Sequence, residues 1–211
     1  MSALAQSVID AALTMSASSL SAGRSGNVSV RDGDRVLITP TGMAYGDLVP
    51  SDIVSMGLDG SVLPGSRKPS SEWHFHAAIY AAREDVQAIV HTHSNAATAL
   101  ACLEEGIPAF HYMVAAAGGI DIRCAPYATF GTDELATVAV NALKGRKACL
   151  LAHHGVIACG PTLPKAYDLA VEVETLAEQY GRARQLGTVT HLSAEEMDRV
   201  IEKFKGYGQQ K

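Results

Sequence analysis

Four cysteines in 211 residues are too few and too scattered for a disulfide framework. Cys102, Cys124, Cys149 and Cys159 stand far apart with no C-x-x-C pair, as buried thiols of a reducing compartment do. No apolar run approaches the roughly 20 residues a membrane helix requires, which excludes a spanning segment. Basic residues are the minority, 17 against 22 acidic for a net charge of −5, and they form no stripe. The electrostatic footprint of a nucleic-acid binder is therefore missing. Met1 to Leu20 has no basic segment followed by an apolar one and does not read as a signal peptide. The expectation is a cytoplasmic protein with neither nucleic acid nor membrane as partner.

Low-complexity tracts, repeats and linkers are also absent, while 47% of the residues are apolar. That is enough for a packed core, and the length suits a single domain spanning 1–211. Leu4, Val8, Ala11, Ala12 and Met15 recur at helical spacing in a helix expected over Ala3 to Leu20. From Gly26 to Leu63 the texture changes to short alternating runs, Asn27 to Arg31 and Arg35 to Ile38, broken by glycine and proline turns as in a sheet. Ser70 and Ser71 precede the apolar run from Trp73 to Tyr80, so a serine is expected to cap a helix with Glu72 in its first turn. A strand, Ala88-Ile89-Val90, runs into His91. Ala96 to Leu103 reads as helix, Ile120 to Ala125 as extended, Asp133 to Leu143 as helix, and Ala148 to Ile157 as apolar chain interrupted by His153-His154-Gly155. Lys165 to Leu186 is a long amphipathic helix, and Ser193 with Glu196 forms a capping box opening a last helix to Lys205. The class is mixed α/β, one central sheet with flanking helices.

Alternate residues of a strand share a face, so His91 and His93 can point at one atom. An isolated His-x-His is weak evidence, but a catalytic zinc commonly takes three protein ligands and leaves a position for water or substrate. His154 is the better third ligand than His153, because the glycine after it permits a tight turn that aims the ring inward. His74 and His76, two apart on a helix, diverge by about 200° and cannot chelate one ion together. His111 and His191 are not excluded by sequence.

An acidic protein that binds an anion needs local donors: glycine-turn amides, small hydroxyls, a helix N-terminus. Three such clusters are present, Gly26-Asn27-Val28-Ser29, Thr39-Pro40-Thr41-Gly42 and Ser70-Ser71. Each alone is an ordinary turn or cap; their coexistence raises the reading of an anion site reaching to Ser71. Glu72 follows directly, either as a helix-terminus carboxylate favoured by the dipole or as a group placed to move a proton.

These residues together resemble the class II aldolases of the L-fuculose-1-phosphate aldolase type, within the aldolase/ribulose-phosphate 4-epimerase superfamily. The likeness runs over almost the whole chain and includes Gly26 to Arg31, Ile38 to Gly42, Ser70 to Trp73, His111-Tyr112-Met113, Ala115 to Gly119, Cys124 to Thr132 and His153-His154-Gly155. Thr92 between the two histidines and Ala152 before His153 depart from the pattern without removing a ligand. The resemblance implies a three-layer α/β domain with a mixed, mainly antiparallel sheet. It implies one Zn2+ per subunit, or Mn2+ or Co2+ in its place, held by His91, His93, His154 and, before substrate arrives, Glu72. Glu72 then leaves the metal and becomes the acid–base group, and the resemblance implies a phosphate pocket of Gly26, Asn27, Thr41, Gly42, Ser70 and Ser71. A homotetramer with active sites at subunit interfaces is implied, with Tyr112 reaching across to protonate the aldehyde oxygen. Tyr207 belongs to a mobile C-terminal tail, from about 205, that closes over substrate.

The implied reaction is reversible aldol cleavage of L-fuculose 1-phosphate, or a closely related ketose 1-phosphate, to dihydroxyacetone phosphate and L-lactaldehyde. Zinc-dependent 4-epimerases share the fold but usually carry aspartate where Glu72 stands; dehydratases and decarboxylases keep a glutamate and stay open as alternatives. A non-catalytic structural zinc is disfavoured, since such sites are closed and cysteine-rich and no cysteine adjoins these histidines.

Overall fold

Asp32 and Arg35 face each other across the two-residue turn Gly33-Asp34, where Gly33 takes the left-handed conformation (φ +63) that such turns demand. This hairpin joins strands β1 (Asn27–Asp32) and β2 (Arg35–Ile38), and β3 (Val54–Gly57) continues it. The computed structural model describes residues 2–206. Within them the remaining strands are β4 (Ala88–Thr92), β5 (Arg123–Ala125), β6 (Ala148–Leu151) and β7 (Gly155–Gly160). The helices are α1 (Ser2–Ala17), α2 (Trp73–Ala82), α3 (Asn95–Ala101), α4 (Asp133–Ala142), α5 (Leu163–Leu186) and α6 (Ala194–Phe204).

The strands form one sheet in the order β3-β2-β1-β4-β7-β6-β5. Every pairing is antiparallel except β5 with β6, so the sheet is mixed and mainly antiparallel, as expected. Both faces are covered, which makes three layers. Val8 and Met15 of α1 and Leu169 and Val173 of α5 pack on one face against Val28, Val90 and Val156. Phe75 and Ile79 of α2 and Leu135 and Ala139 of α4 pack on the other against Ile38, Ile89 and Ile157. Each large side chain so buried contributes about 1.5–3 kcal/mol.

The sheet sets the site. Alternation along β4 puts Ala88 and Val90 under α1 and α5 and Ile89 under α2, so His91 emerges on the α2 side, edge-on to Phe75 with centroids 5.2 Å apart. Beyond β4, Glu174 of α5 accepts hydrogen bonds from the amides of Ala96 and Ala97 at 2.8 and 2.9 Å. Its carboxylate serves α3 in place of a cap from Ser94, whose side chain makes no capping bond.

Two local expectations change. Glu72 is itself the cap residue of α2 rather than a member of its first turn. Ser70 Oγ accepts from the Glu72 amide at 3.3 Å, inside the turn that precedes the helix. The extended segment is shorter than expected, since only Arg123–Ala125 pairs as a strand and Ile122 forms a single bridge with Ile107. Of the capping box expected at Ser193 one half is present, the Ser193 side chain accepting from the Glu196 amide at 3.2 Å.

Candidate metal centre and substrate cleft

Among the described residues one group of side chains is arranged to hold a metal ion: Glu72, His91, His93 and His154, with their donor atoms all within 4.8 Å of one another. The four come from three places. His91 lies in β4 and His93 just past its end, His154 sits in the β6–β7 turn, and Glu72 caps α2. The imidazoles stand edge to face in a threefold array, with centroids 4.8 to 4.9 Å apart and interplanar angles of 77 to 79°. His91 Nε2 lies 2.9 Å from His93 Nε2 and 3.2 Å from Glu72 Oε2, and His154 Nε2 lies 2.9 Å from Glu72 Oε1.

These donors fit a divalent cation. His91 Nδ1 donates to the Val156 carbonyl at 2.8 Å, which turns Nε2 toward the cluster and reserves that nitrogen for a ligated ion. Glu72 Oε1 is buried and, despite its closeness to His154, accepts no hydrogen bond, so it is an orphaned acceptor that a cation would satisfy. Burial raises the Glu72 carboxyl, but the imidazoles of His91 and His154 outweigh it and hold the group far below the carboxylate range. Burial, then the neighbouring His91 and His154, pushes His93 down to about 3, so its ring stays neutral, as ligation requires. Three imidazole nitrogens and a carboxylate suit zinc, and no cysteine takes part. His91 is fully buried, whereas Glu72, His93 and His154 line an open cleft of about 350 Å³, so the centre is reached from one side.

The same cleft brings together all six residues expected to hold phosphate, Gly26, Asn27, Thr41, Gly42, Ser70 and Ser71. Backbone bonds tie its walls: Ser70 N donates to Thr39 O at 3.0 Å, and Thr41 N to Lys68 O at 3.1 Å. The Thr41 amide is thereby engaged, and what Thr41 offers a ligand is its hydroxyl. Gly26, at φ +81, leaves no room for a side chain, because a Cβ there would stand 2.6 Å from the His91 carbonyl.

Gly155 serves a purpose different from the one its sequence position suggests. The left-handed residue of the turn is His153 (φ +55), and a Cβ on Gly155 would come within 2.3 Å of the Thr92 carbonyl. Glycine is required there so that β7 can approach β4, and that approach carries His154 to the other ligands.

His74 and His76 diverge on α2 as expected; His76 turns inward behind Glu72. His191 is exposed and His111 caps the short 3-10 helix that Tyr112 begins. Tyr112, half exposed, lies away from the cleft in a separate groove with Phe110, Leu192 and Phe204. Tyr207 lies outside the described residues. Arg24, Tyr45, Tyr127 and Phe130 also line the cleft and escaped sequence reasoning. Arg24, whose guanidinium donates to the Gly42 carbonyl at 2.9 Å, bridges the two glycine turns. Tyr45 braces the same wall through the Gly26 carbonyl at 2.8 Å, and burial, helped by the Glu72 charge, pushes its hydroxyl up to about 12. The signal that points to Arg24 is charge balance, since a pocket expected to take phosphate beside a carboxylate needs a fixed cation.

The fold and this four-residue centre define a class II aldolase: residues 6–180 match the Class II Aldolase and Adducin N-terminal domain family, and the chain belongs to it. It is 58% identical to a 5-methylthioribulose-1-phosphate/5-deoxyribulose-1-phosphate aldolase of Rhodospirillum rubrum, over 98% of this chain and 93% of that protein. It is 52% identical to the L-fuculose phosphate aldolase of Escherichia coli, over 97% and 95%. A solved L-fuculose 1-phosphate aldolase superposes with a TM-score of 0.94 at 43% identity, covering 97% of each chain. The protein is thus an enzyme, a lyase of the class II type.

Proposed function

We propose that the enzyme uses one Zn2+ per subunit to cleave, reversibly, a ketose 1-phosphate with a short apolar tail, giving dihydroxyacetone phosphate and an aldehyde. L-Fuculose 1-phosphate and 5-deoxyribulose 1-phosphate share the dihydroxyacetone phosphate half and end in a methyl group. The observation that carries this reading is the single cleft in which Glu72, His93 and His154 face the phosphate-type wall, with Tyr127 and Phe130 exposed on its rim. An apolar tail against those rings fits the substrates named for the relatives; one relative of the deoxyribulose type is 58% identical and two others 43% and 45%, against 52% for one of the fuculose type, so identity does not rank the two tails.

His91, His93 and His154 would hold the zinc, with Glu72 completing its shell before substrate binds. When bound, zinc supplies Lewis-acid stabilisation of the negative charge that develops on substrate oxygens as the carbon–carbon bond breaks. Asn27, Thr41, Gly42, Ser70, Ser71 and the Gly26 turn take the phosphate, and Arg24 supplies the fixed positive charge. In synthesis Glu72 removes a proton from carbon 3 of dihydroxyacetone phosphate, and Tyr112 protonates the aldehyde oxygen as the new bond forms. Cleavage reverses both transfers: Tyr112 takes the proton of the carbon 4 hydroxyl and Glu72 delivers one to carbon 3. Tyr112 stands away from the cleft of its own chain, which suits a tyrosine serving a neighbouring subunit of a tetramer. Tyr207 is assigned to closure over substrate by the family resemblance.

The test is dihydroxyacetone phosphate release from L-fuculose 1-phosphate and from 5-deoxyribulose 1-phosphate, each at several concentrations, with zinc-loaded enzyme. A kcat/KM for either that is abolished by EDTA supports the reading, and the larger value names the preferred tail. Release from neither would move the assignment to epimerase, dehydratase or decarboxylase chemistry of the same fold.

A further inference from the structure

From the wall of the cleft, at Asn27 and Glu72, a chain of polar side chains runs inward behind the metal cluster. Asn27 Nδ2 donates to Glu72 Oε2 at 2.9 Å, and Asn27 Oδ1 lies 2.5 Å from His76 Nε2. His76 Nδ1 lies 2.7 Å from Ser29 Oγ, which lies 2.9 Å from the Tyr80 hydroxyl. All five residues are buried, His76 and Ser29 completely.

The chain exists because two periodicities match. Asn27 and Ser29 share one face of β1, about 6.6 Å apart, and Glu72, His76 and Tyr80 share one face of α2, each about 6 Å along. Arg31, next on the strand face, closes the series with its guanidinium 5.0 Å above the Tyr80 ring and a 2.7 Å bond to the Tyr80 carbonyl.

Its polarity is forced from one end. A carboxylate only accepts, so Asn27 must turn its NH2 toward Glu72 and its carbonyl toward His76. His76 must then donate from Nε2, and its Nδ1 must accept from the Ser29 hydroxyl, which in turn accepts from Tyr80. Were the Asn27 amide reversed, two acceptor oxygens would face each other beside the cluster. Asn27 also lines the cleft, beside the carboxylate it holds.

We propose that His76 is a positioning residue: by donating to Asn27 it fixes the amide, and through the amide it fixes the Glu72 carboxylate for proton transfer. This rests on the acid–base role assigned to Glu72. His76 touches neither substrate nor metal in this account.

The variants that test it differ in reach. Glutamine places an amide nitrogen near the position of Nε2 and can still donate to Asn27; asparagine ends near Nδ1 and meets only Ser29. His76→Gln is expected to keep kcat within about threefold of the parent and His76→Asn to lose about tenfold or more, as for a lost hydrogen bond acting on a charged group. Zinc content per subunit, by elemental analysis, is expected to stay at the parent value in both. Equal losses in the two, or full activity in both, would overturn the proposal, as would a kcat loss that merely follows lost zinc. Should either fail to fold, Ser29→Ala carries the test, because it removes the donor that holds the His76 tautomer; unchanged kcat there also overturns it. Glu72→Gln, run in parallel, separates the two readings: turnover surviving in that variant defeats the acid–base assignment itself, whatever His76 does.

Discussion

The centre depends on side chains whose alternatives are easily stated. His154→Ala removes one of three nitrogen ligands, and the account predicts loss of zinc together with turnover, read by elemental analysis and aldehyde release. Glu72→Gln is predicted to differ: the three imidazoles remain, so zinc should be retained while turnover falls by at least about a hundredfold, the usual scale of a general acid–base contribution. Loss of zinc from that variant equal to that of His154→Ala would show Glu72 to be a structural ligand alone. Arg24, donating to Gly42 at the mouth of the cleft, is argued to hold phosphate charge. Arg24→Gln should therefore raise KM for the phosphorylated ketose, and the inhibition constant of inorganic phosphate, by roughly tenfold with kcat little changed. A rise in KM with no change in phosphate inhibition would place Arg24 elsewhere in recognition.

At the level of elements, the site exists because β7 lies against β4 closely enough to bring the β6–β7 turn over the end of β4. The Thr92 carbonyl 2.3 Å from where a Gly155 side chain would begin is part of that backbone and cannot swing aside. Gly155→Ala is predicted to cost about 1–3 kcal/mol, measured as lowered resistance to urea, and to weaken zinc binding as His154 shifts. Unchanged stability would mean that the strands separate freely.

This is also where the sequence was only partly readable. Period-two spacing revealed His91 and His93 because both lie on one extended run. His154 does stand with the other three side chains, but for a physical reason other than the expected glycine turn, since a close approach between strands distant in sequence leaves no local mark. The series Glu72, His76, Tyr80 was present at spacing four. It passed unnoticed within the apolar run from Trp73 to Tyr80 because its partner, the 27, 29, 31 face of β1, becomes apparent only when the two elements are laid together. β4 and β7, buried on both faces, read as continuous apolar chain without alternation, which hid their pairing. The mainly antiparallel character of the sheet came from the family resemblance and not from pattern, and its strand order was not legible in the sequence.

For the whole molecule, Tyr112 decides what one chain can do. Half exposed and set in a groove apart from Glu72, it cannot serve its own cleft in the arrangement described. The account predicts a homotetramer by analytical ultracentrifugation. It further predicts that Tyr112→Phe and Glu72→Gln subunits, each nearly inactive alone, regain activity when dissociated and reassembled together, because some mixed interfaces pair an intact Glu72 with an intact Tyr112. No recovery in verified mixed oligomers would place both groups in one subunit. Among the described residues no helix is long and apolar enough to cross a membrane.

The central claim is that a metal held by His91, His93 and His154 enables aldol cleavage in the cleft beside it. Its most direct measurement is the rate of dihydroxyacetone phosphate release from L-fuculose 1-phosphate and 5-deoxyribulose 1-phosphate as zinc is removed by EDTA and titrated back. The account predicts release from at least one ketose that vanishes with the metal and returns in proportion to zinc, reaching full rate at one ion per subunit. Release that persists in metal-free enzyme would contradict it.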